Sequence, residues 1–223
     1  MPEGTGKGAL ITLEGIDGTG KSTVAADLGR FLAAAGVRAA IQREPTQSWL
    51  GDAVKRAHTQ KAGALAHTFL FLADRAQHTA AIRDQMGFGA VVVCDRYLDS
   101  TVAYQSAALA RETPPMSGDL IEWLTALHRP WGQIPDLTIL IVDDPARCME
   151  RVKKSRGHTS MFEDAGFLAS VQENYRAVAK REPGRFKVLE SLDLAALQSQ
   201  ARQLVEDFLK ARSLWAPPTK TKA

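Results

Sequence analysis

The sequence has few cysteines, little net charge and no long hydrophobic run, and each shortage narrows what the protein can be. Its 223 residues include two cysteines, Cys94 and Cys148, without CxxC spacing. We expect both to be reduced thiols in the core of a cytoplasmic protein. The net charge of +3 is too small to indicate a nucleic-acid partner. No segment approaches the ~20 apolar residues that span a bilayer, and the N-terminal residues lack the apolar stretch of a secretory signal. We therefore expect no membrane partner.

Apolar runs of strand length alternate with segments of helical periodicity. Such runs, each followed by a helix, are typical of a parallel sheet covered on both faces. We therefore predict an α/β fold with a five-stranded parallel sheet. Residues 1–215 are expected to form one domain and residues 216–223 a disordered tail. The predicted strands are 9–14, 37–42, 90–94, 137–142 and 186–189, and the predicted helices are 21–35, 50–61, 64–86, 98–110, 117–127, 145–154, 166–180 and 194–212.

The first predicted strand runs into a phosphate-binding pattern. Residues 15–22 read GIDGTGKS and match GxxxxGK[ST], between a strand and a helix. Glycines let the backbone N–H groups point inward, and the positive end of the helix dipole faces the bound anion. Lys21 can reach the β- and γ-phosphates of a nucleotide, and the Ser22 hydroxyl can hold Mg²⁺. The alternative is a glycine-rich turn that matches by chance. The predicted ATP-binding residues are Gly15, Ile16, Asp17, Gly18, Thr19, Gly20, Lys21, Ser22 and Thr23.

Two classes of phosphate-loop protein compete at this point. A guanine-specific switch usually carries an Asn-Lys-x-Asp element, but the single asparagine, Asn174, is followed by Tyr175. That element is absent. A kinase of small metabolites needs instead a second anion site for the acceptor and a mobile basic flap that excludes water.

The sequence offers candidates for both of these parts. Asp95 ends the third predicted strand, where its carboxylate can hold Mg²⁺ through water, and Arg96 can hold an acceptor phosphate. The alternative is a surface ion pair at a strand end. The flap candidate is 151–156 (RVKKSR), in which Arg151 and Arg156 could stabilise charge on the transferring phosphoryl group. The alternative there is a solvated helix end.

Several motifs resemble those of the thymidylate kinase family. The most specific is DRYLDSTVAYQ at 95–105, which is similar to the family's DRYxxSxxAYQ. The motifs keep their order from about residue 9 to residue 190. The other similar stretches are EGIDGTGKST at 14–23, REP at 43–45, FLADR at 71–75 and PDL at 135–137.

The resemblance implies a P-loop kinase fold with a short basic lid, acting as a homodimer. It implies transfer of a phosphoryl group from ATP to dTMP, with Mg²⁺ as cofactor. The alternatives are a related kinase for another nucleoside monophosphate or a deoxynucleoside, and, more remotely, a nucleotide-gated interaction module. In the family's pattern Arg43 and Arg96 would hold the acceptor phosphate. Phe71 would stack on thymine, Arg75 would donate to a base carbonyl, and Gln105 would bond the base edge. Asp17 would approach the 3′-hydroxyl or the metal, and Tyr104, which shares a helix face with Ser100, would crowd the sugar 2′ position.

The sequence also departs from that family's pattern. Residues 43–48 read REPTQS, where the family commonly has REPGGT. Ser160-Met161 stand where many members have Asp-Arg, which leaves Arg151, Lys153, Lys154 and Arg156 as the basic residues of the flap. The five histidines, at 58, 67, 78, 128 and 158, show no metal-binding spacing, so we expect surface or core residues.

Overall fold

The fold is described here for residues 8–112, 114–156, 164–190 and 193–215 of a computed structural model, without the side chains of residues 155 and 156. The predicted tail, 216–223, lies outside these residues. Among them no helix has the length and apolar character that a membrane span requires.

The predicted strands form one parallel sheet in the order β2-β3-β1-β4-β5. The three central strands are buried along their whole length, because helices cover both faces, whereas the two edge strands are partly exposed. The strands are β1 (Ala9–Glu14), β2 (Ala39–Arg43), β3 (Val91–Asp95), β4 (Leu137–Val142) and β5 (Phe186–Glu190).

The helices divide between the two faces of the sheet. α1 and α8 pack on one face around the buried Leu28 and Val205, and α3, α4, α5 and α7 share the other core. Aspartate or serine side chains cap four helices, α2, α5, α7 and α8, by accepting from backbone N–H groups of the first turn. The helices are α1 (Lys21–Ala34), α2 (Trp49–Thr59), α3 (Ala64–Gly87), α4 (Leu98–Leu109), α5 (Leu120–His128), α6 (Pro145–Arg156), α7 (Ala165–Arg181) and α8 (Leu194–Ala211).

Four predicted boundaries were wrong by two or three residues: the starts of β2 and α5, the end of α2, which is Thr59 rather than 61, and the end of α6, which is Arg156 rather than 154. The two starts have local reasons. Strand β2 begins at Ala39 rather than at 37, because the N–H of Val37 donates to the Leu32 carbonyl and closes the end of α1. Helix α5 begins at Leu120 rather than at 117, because the Asp119 side chain is its N-cap.

The sheet brings three of the predicted motifs to one edge. Arg43, at the end of β2, pairs in register with Asp95, at the end of β3, and Asp95 pairs with Leu13 of β1. Parallel strands end on the same side of a sheet, so the phosphate loop and the segments after β2 and β3 meet there. Ligands of open α/β sheets bind at this edge.

Candidate nucleotide-binding site

Two glycines of the phosphate loop combine a positive φ with close contact to neighbouring backbone. Gly15 and Gly18 have φ values of 140° and 88°. A Cβ atom on Gly18 would lie 2.3 Å from the Cys148 carbonyl oxygen, and one on Gly15 would lie 2.3 Å from that of Ile141. The loop therefore packs directly against the backbone of β4 and α6.

Lys21 is held inside this loop. Its Nζ donates to the Ile16 carbonyl oxygen at 2.6 Å, and the residue is 5% exposed. Burial, with the nearby positive charge of Arg96, lowers the pKa of Lys21 to about 7. A bound polyphosphate would supply negative charge to this desolvated ammonium group and favour its protonated form.

A first cavity, of about 300 Å³, opens over the loop. We call it the loop cavity. Three of the predicted ATP-binding residues, Gly15, Ile16 and Thr19, do not line it: the Ile16 side chain is in the core, and the Thr19 hydroxyl donates to the Ile16 carbonyl oxygen. The lining residues are Asp17, Gly18, Gly20, Lys21, Ser22, Thr23, Arg43, Asp95, Arg96, Arg151 and Val152.

A second cavity, of about 360 Å³, lies between the loop and helices α2, α3 and α4. We call it the helix cavity. All seven residues predicted to bind the acceptor line it, namely Arg43, Phe71, Arg75, Arg96, Ser100, Tyr104 and Gln105. Asp17, Arg43 and Arg96 line both cavities, so the two spaces meet at these three side chains.

Arg96 occupies the junction in an unusual backbone conformation. Its φ is 71°, in the left-handed region, and its N–H donates to the Leu13 carbonyl oxygen. The guanidinium donates to Asp17 at 2.8 Å and to Ser100 at 3.1 Å, and it lies 4.9 Å from the centre of the Tyr104 ring. Ser100 and Tyr104 thus meet the same arginine from one face of α4, as their spacing predicts.

Ser22 and Asp95, the predicted metal-binding pair, lie in contact. The Ser22 hydroxyl donates to Asp95 Oδ2, while Asp95 Oδ1 is buried with no hydrogen-bond partner among the described residues. A hydroxyl beside a carboxylate oxygen without a partner suits a hard cation that also binds water and substrate phosphate. No cluster of three or more metal-binding side chains occurs in the described part of the chain. A cation bound to Ser22 and Asp95 would therefore need water and substrate phosphate as its further ligands.

Arg75 is more constrained than its predicted contact with a base suggests. The residue is 1% exposed, and its guanidinium donates to Glu44, to Thr101, to the Tyr97 carbonyl oxygen and toward His128 Nε2. These bonds engage all five of its N–H groups. Arg75 therefore forms part of the wall of the helix cavity, and a bond to a base would require one of these bonds to be exchanged.

His128 accepts that contact as a neutral ring. Its Nδ1 faces the Leu124 carbonyl oxygen at 2.8 Å and must donate, so Nε2 carries the lone pair that faces Arg75 at 3.0 Å. Burial, together with the charge of Arg75, lowers the pKa of His128 to about 3.

Two histidines that we expected to be surface or core residues line the helix cavity. The His67 ring lies 4.9 Å from the Phe71 ring and 5.9 Å from the His58 ring. His67 and Phe71 are four residues apart on α3, and Val54 and His58 are four apart on α2. The spacing from Phe71, a predicted acceptor-binding residue, is the signal that places His67 on the same face of α3, whereas the place of His58 follows only from the packing of α2 against α3.

The departure from REPGGT has a local explanation. The backbone N–H and the hydroxyl of Thr46 both donate to the Asp74 carboxylate, the hydroxyl at 2.5 Å, and the Ser48 hydroxyl caps α2. Thr46 and Ser48 thereby attach the segment after β2 to α3, beside Arg75.

Of the flap residues, Arg151 reaches the loop. Its guanidinium donates to the Gly18 carbonyl oxygen at 3.1 Å and to Asp143 at 2.6 Å. Lys153 and Lys154 are exposed and line neither cavity. The Arg156 side chain and residues 157–163, where Ser160-Met161 lie, are outside the described part of the structure.

A five-stranded parallel sheet whose first strand ends in this loop defines a P-loop nucleotide kinase fold. The thymidylate kinase family profile matches residues 13–200. A probable thymidylate kinase from Methanococcoides burtonii is 42% identical over 208 residues, covering 92% of this chain and 100% of that protein. A relative with the same name from Methanosarcina mazei is 41% identical, covering 83% of this chain and 88% of that protein. Another, from Natronomonas pharaonis, is 38% identical, covering 90% of this chain and 98% of that protein. The chain belongs to the thymidylate kinase family.

Proposed function

We propose that the protein transfers the γ-phosphoryl group of ATP to dTMP, giving ADP and dTDP. The observation that carries this proposal is the junction of two cavities at Asp17, Arg43 and Arg96. A phosphoryl donor in one cavity and an acceptor in the other would meet beside two guanidinium groups. Membership of the thymidylate kinase family supports dTMP as the acceptor.

On the donor side, the loop residues that line the loop cavity would bind the ATP phosphates, and Gly15, Ile16 and Thr19 would shape the loop behind them. Backbone N–H groups and the N-terminus of α1 suit anions, and Lys21 lies buried at the base of the loop cavity. Ser22 and Asp95 would hold Mg²⁺, which neutralises charge on the β- and γ-phosphates. Arg151, which lies against Gly18, would add positive charge at the transferring group, and we propose the same role for Arg156.

On the acceptor side, Arg43 and Arg96 would hold the dTMP phosphate. The Arg43 side chain is 59% exposed, so it can move toward a ligand, whereas Arg96 is already fixed by its neighbours. Phe71 offers an aromatic face for the base, and Gln105 offers a polar group at the inner wall. Arg75 would donate to the base by exchanging one of its present hydrogen bonds. Tyr104 would lie beside the sugar, with Ser100 supporting Arg96.

Catalysis would then consist of positioning and charge neutralisation. Phosphoryl transfer has a loose transition state with charge on the equatorial oxygens, and it needs no covalent intermediate with the protein. Asp17 accepts from Arg96 at 2.8 Å and lies between the cavities, where it could orient either the sugar 3′-hydroxyl or the metal.

A coupled ADP-release assay across the nucleoside monophosphates tests the reaction and its acceptor. We expect dTMP to have the highest kcat/KM, and Lys21→Ala to remove turnover with every acceptor. A higher kcat/KM for another monophosphate or for a deoxynucleoside would support a related kinase. Binding of ATP without phosphorylation of any acceptor would indicate a nucleotide-gated module.

We also propose a homodimer, built from one-domain protomers, in the cytoplasm. Large apolar side chains are exposed on helices α2 and α3: Trp49 at 73%, Phe69 at 52% and Leu65 at 44%. Such exposure favours association. Light scattering on the unmodified protein should give twice the mass of one chain. The double variant Trp49→Glu with Phe69→Glu should have the mass of a single chain. A monomeric unmodified protein would contradict the dimer.

A further inference from the structure

Glu14 is a buried carboxylate for which the reaction outlined above has no use. It is the last residue of β1, is 0% exposed and lines neither cavity. Burial, with the nearby carboxylate of Asp99, raises the pKa of Glu14 to about 7. A buried acid requires strong hydrogen bonds, so its partners indicate what it does.

Those partners surround Arg96. Glu14 Oε2 accepts from the Ser100 hydroxyl at 2.6 Å and from the Tyr175 hydroxyl at 3.0 Å. Glu14 Oε1 accepts from the backbone N–H of Tyr97 at 2.8 Å. One carboxylate therefore binds α4, α7 and the residue that follows Arg96.

The contact with the two hydroxyls orients them. An ionised carboxylate only accepts, so the Ser100 and Tyr175 hydroxyls are its donors; the two hydroxyl oxygens also lie 2.8 Å apart, so both hydrogens are taken up within the group formed by Glu14, Ser100 and Tyr175. Their oxygen lone pairs are then left to face Arg96, which donates to Ser100 at 3.1 Å and lies 3.5 Å from the Tyr175 oxygen. A group that donates at position 14 would compete with the guanidinium for the same oxygen atoms.

The contact with the backbone stabilises the turn. Arg96 has φ 71°, a conformation that side-chain-bearing residues rarely adopt. The N–H of Arg96 donates to the Leu13 carbonyl oxygen and the next N–H donates to Glu14, so the end of β1 holds both sides of this residue.

We propose that Glu14 is a positioning residue for the acceptor phosphate: through Ser100, Tyr175 and the backbone of Tyr97 it fixes the Arg96 guanidinium at the junction of the cavities. The inference rests on the proposed function, because Arg96 is the side chain that would hold that phosphate. Glu14 itself does not reach the substrate.

Steady-state kinetics at pH 8, where the Glu14 carboxylate is mostly ionised, test the proposal. We expect Glu14→Gln to raise the KM for dTMP by ~10-fold or more, the effect of weakening a hydrogen bond to a charged group, with the KM for ATP within about twofold. Tyr175→Phe, which removes one hydroxyl and keeps the ring, should shift the same constant in the same direction by less. If Glu14→Gln does not fold, Tyr175→Phe carries the test alone.

A double-mutant cycle separates positioning from general stability. If Glu14 acts through Arg96, the double variant Glu14→Gln with Arg96→Ala should be no worse for dTMP than Arg96→Ala alone. The matched control is Val205→Ala, a buried truncation on the other face of the sheet, which should lower thermal stability and leave both KM values unchanged.

The outcomes are distinguishable from failure of the proposed function. An unmodified protein that phosphorylates no monophosphate would refute the proposed reaction. An active protein in which Glu14→Gln leaves the dTMP KM unchanged, raises both KM values equally, or adds fully to Arg96→Ala, would refute the positioning role.

Discussion

Arg96 combines backbone strain with a charge at the junction of the cavities, and two substitutions can separate them. Arg96→Ala and Arg96→Gly both remove the guanidinium, but glycine alone adopts φ 71° without a Cβ conflict. The left-handed conformation costs about 1–2 kcal/mol for a residue with a side chain. Glycine avoids this cost, but it also makes the unfolded chain more flexible, which lowers the free energy of unfolding by about 0.4–1 kcal/mol. We therefore expect Arg96→Gly to be more stable than Arg96→Ala by ~0.5–1 kcal/mol.

The effect on activity should be the same for both variants. Removal of the guanidinium leaves Asp17, its partner at 2.8 Å, without that ion pair and leaves the acceptor phosphate less firmly held. A charge-assisted hydrogen bond contributes about 1.5–3 kcal/mol, so kcat/KM for dTMP should fall roughly 10- to 150-fold. ATP affinity should change little.

Urea unfolding and steady-state kinetics on the two variants check both parts. If Arg96→Ala proves as stable as Arg96→Gly, the strain at this residue has been overestimated. An unchanged kcat/KM for dTMP in either variant would show that Arg96 does not bind the acceptor. A variant that instead loses ATP affinity would move it to the donor side.

Three further predictions follow from other side chains. Lys21→Ala should reduce turnover far more than tenfold without altering the far-UV CD spectrum, and a barrier change of only ~1.4 kcal/mol would contradict the role of Lys21. In the unmodified enzyme we expect kcat/KM to favour dTMP over the corresponding ribonucleotide by roughly 10- to 100-fold, because the Tyr104 ring is fixed under Arg96. Tyr104→Ala should narrow this preference, and comparable kcat/KM values for both sugars in the unmodified enzyme would refute the role of Tyr104. His128 binds a proton in the unfolded chain below about pH 6.5 but not in the fold, where its pKa is about 3, so acidification from pH 6.5 to 5 should cost the unmodified protein ~1.6 kcal/mol of unfolding free energy relative to a protein that lacks this histidine. His128→Gln should remove that loss in urea titrations, and an equal loss in both proteins would show that His128 does not titrate as described.

Much of the fold and of the candidate site could be predicted from the sequence because the signals are local. Apolar runs followed by helices indicated five parallel strands, of which the central three are buried along their whole length, and the loop pattern required a strand before it and a helix after it. Parallel strands end at one edge, which placed the segments that begin at Gly15, Arg43 and Asp95 side by side. Helical spacing alone placed Ser100 and Tyr104 on one face of α4.

The pairing of buried polar groups was decided only by the tertiary structure. Glu14 accepts from Tyr175, 161 residues away, and Arg75 is enclosed by groups from three other segments. Periodicity reports which face of an element is buried but not which donor meets which acceptor across the core. His67 illustrates the limit: its position on α3 shows that it faces inward, and only the packing of α2 against α3 makes it part of the wall of a cavity.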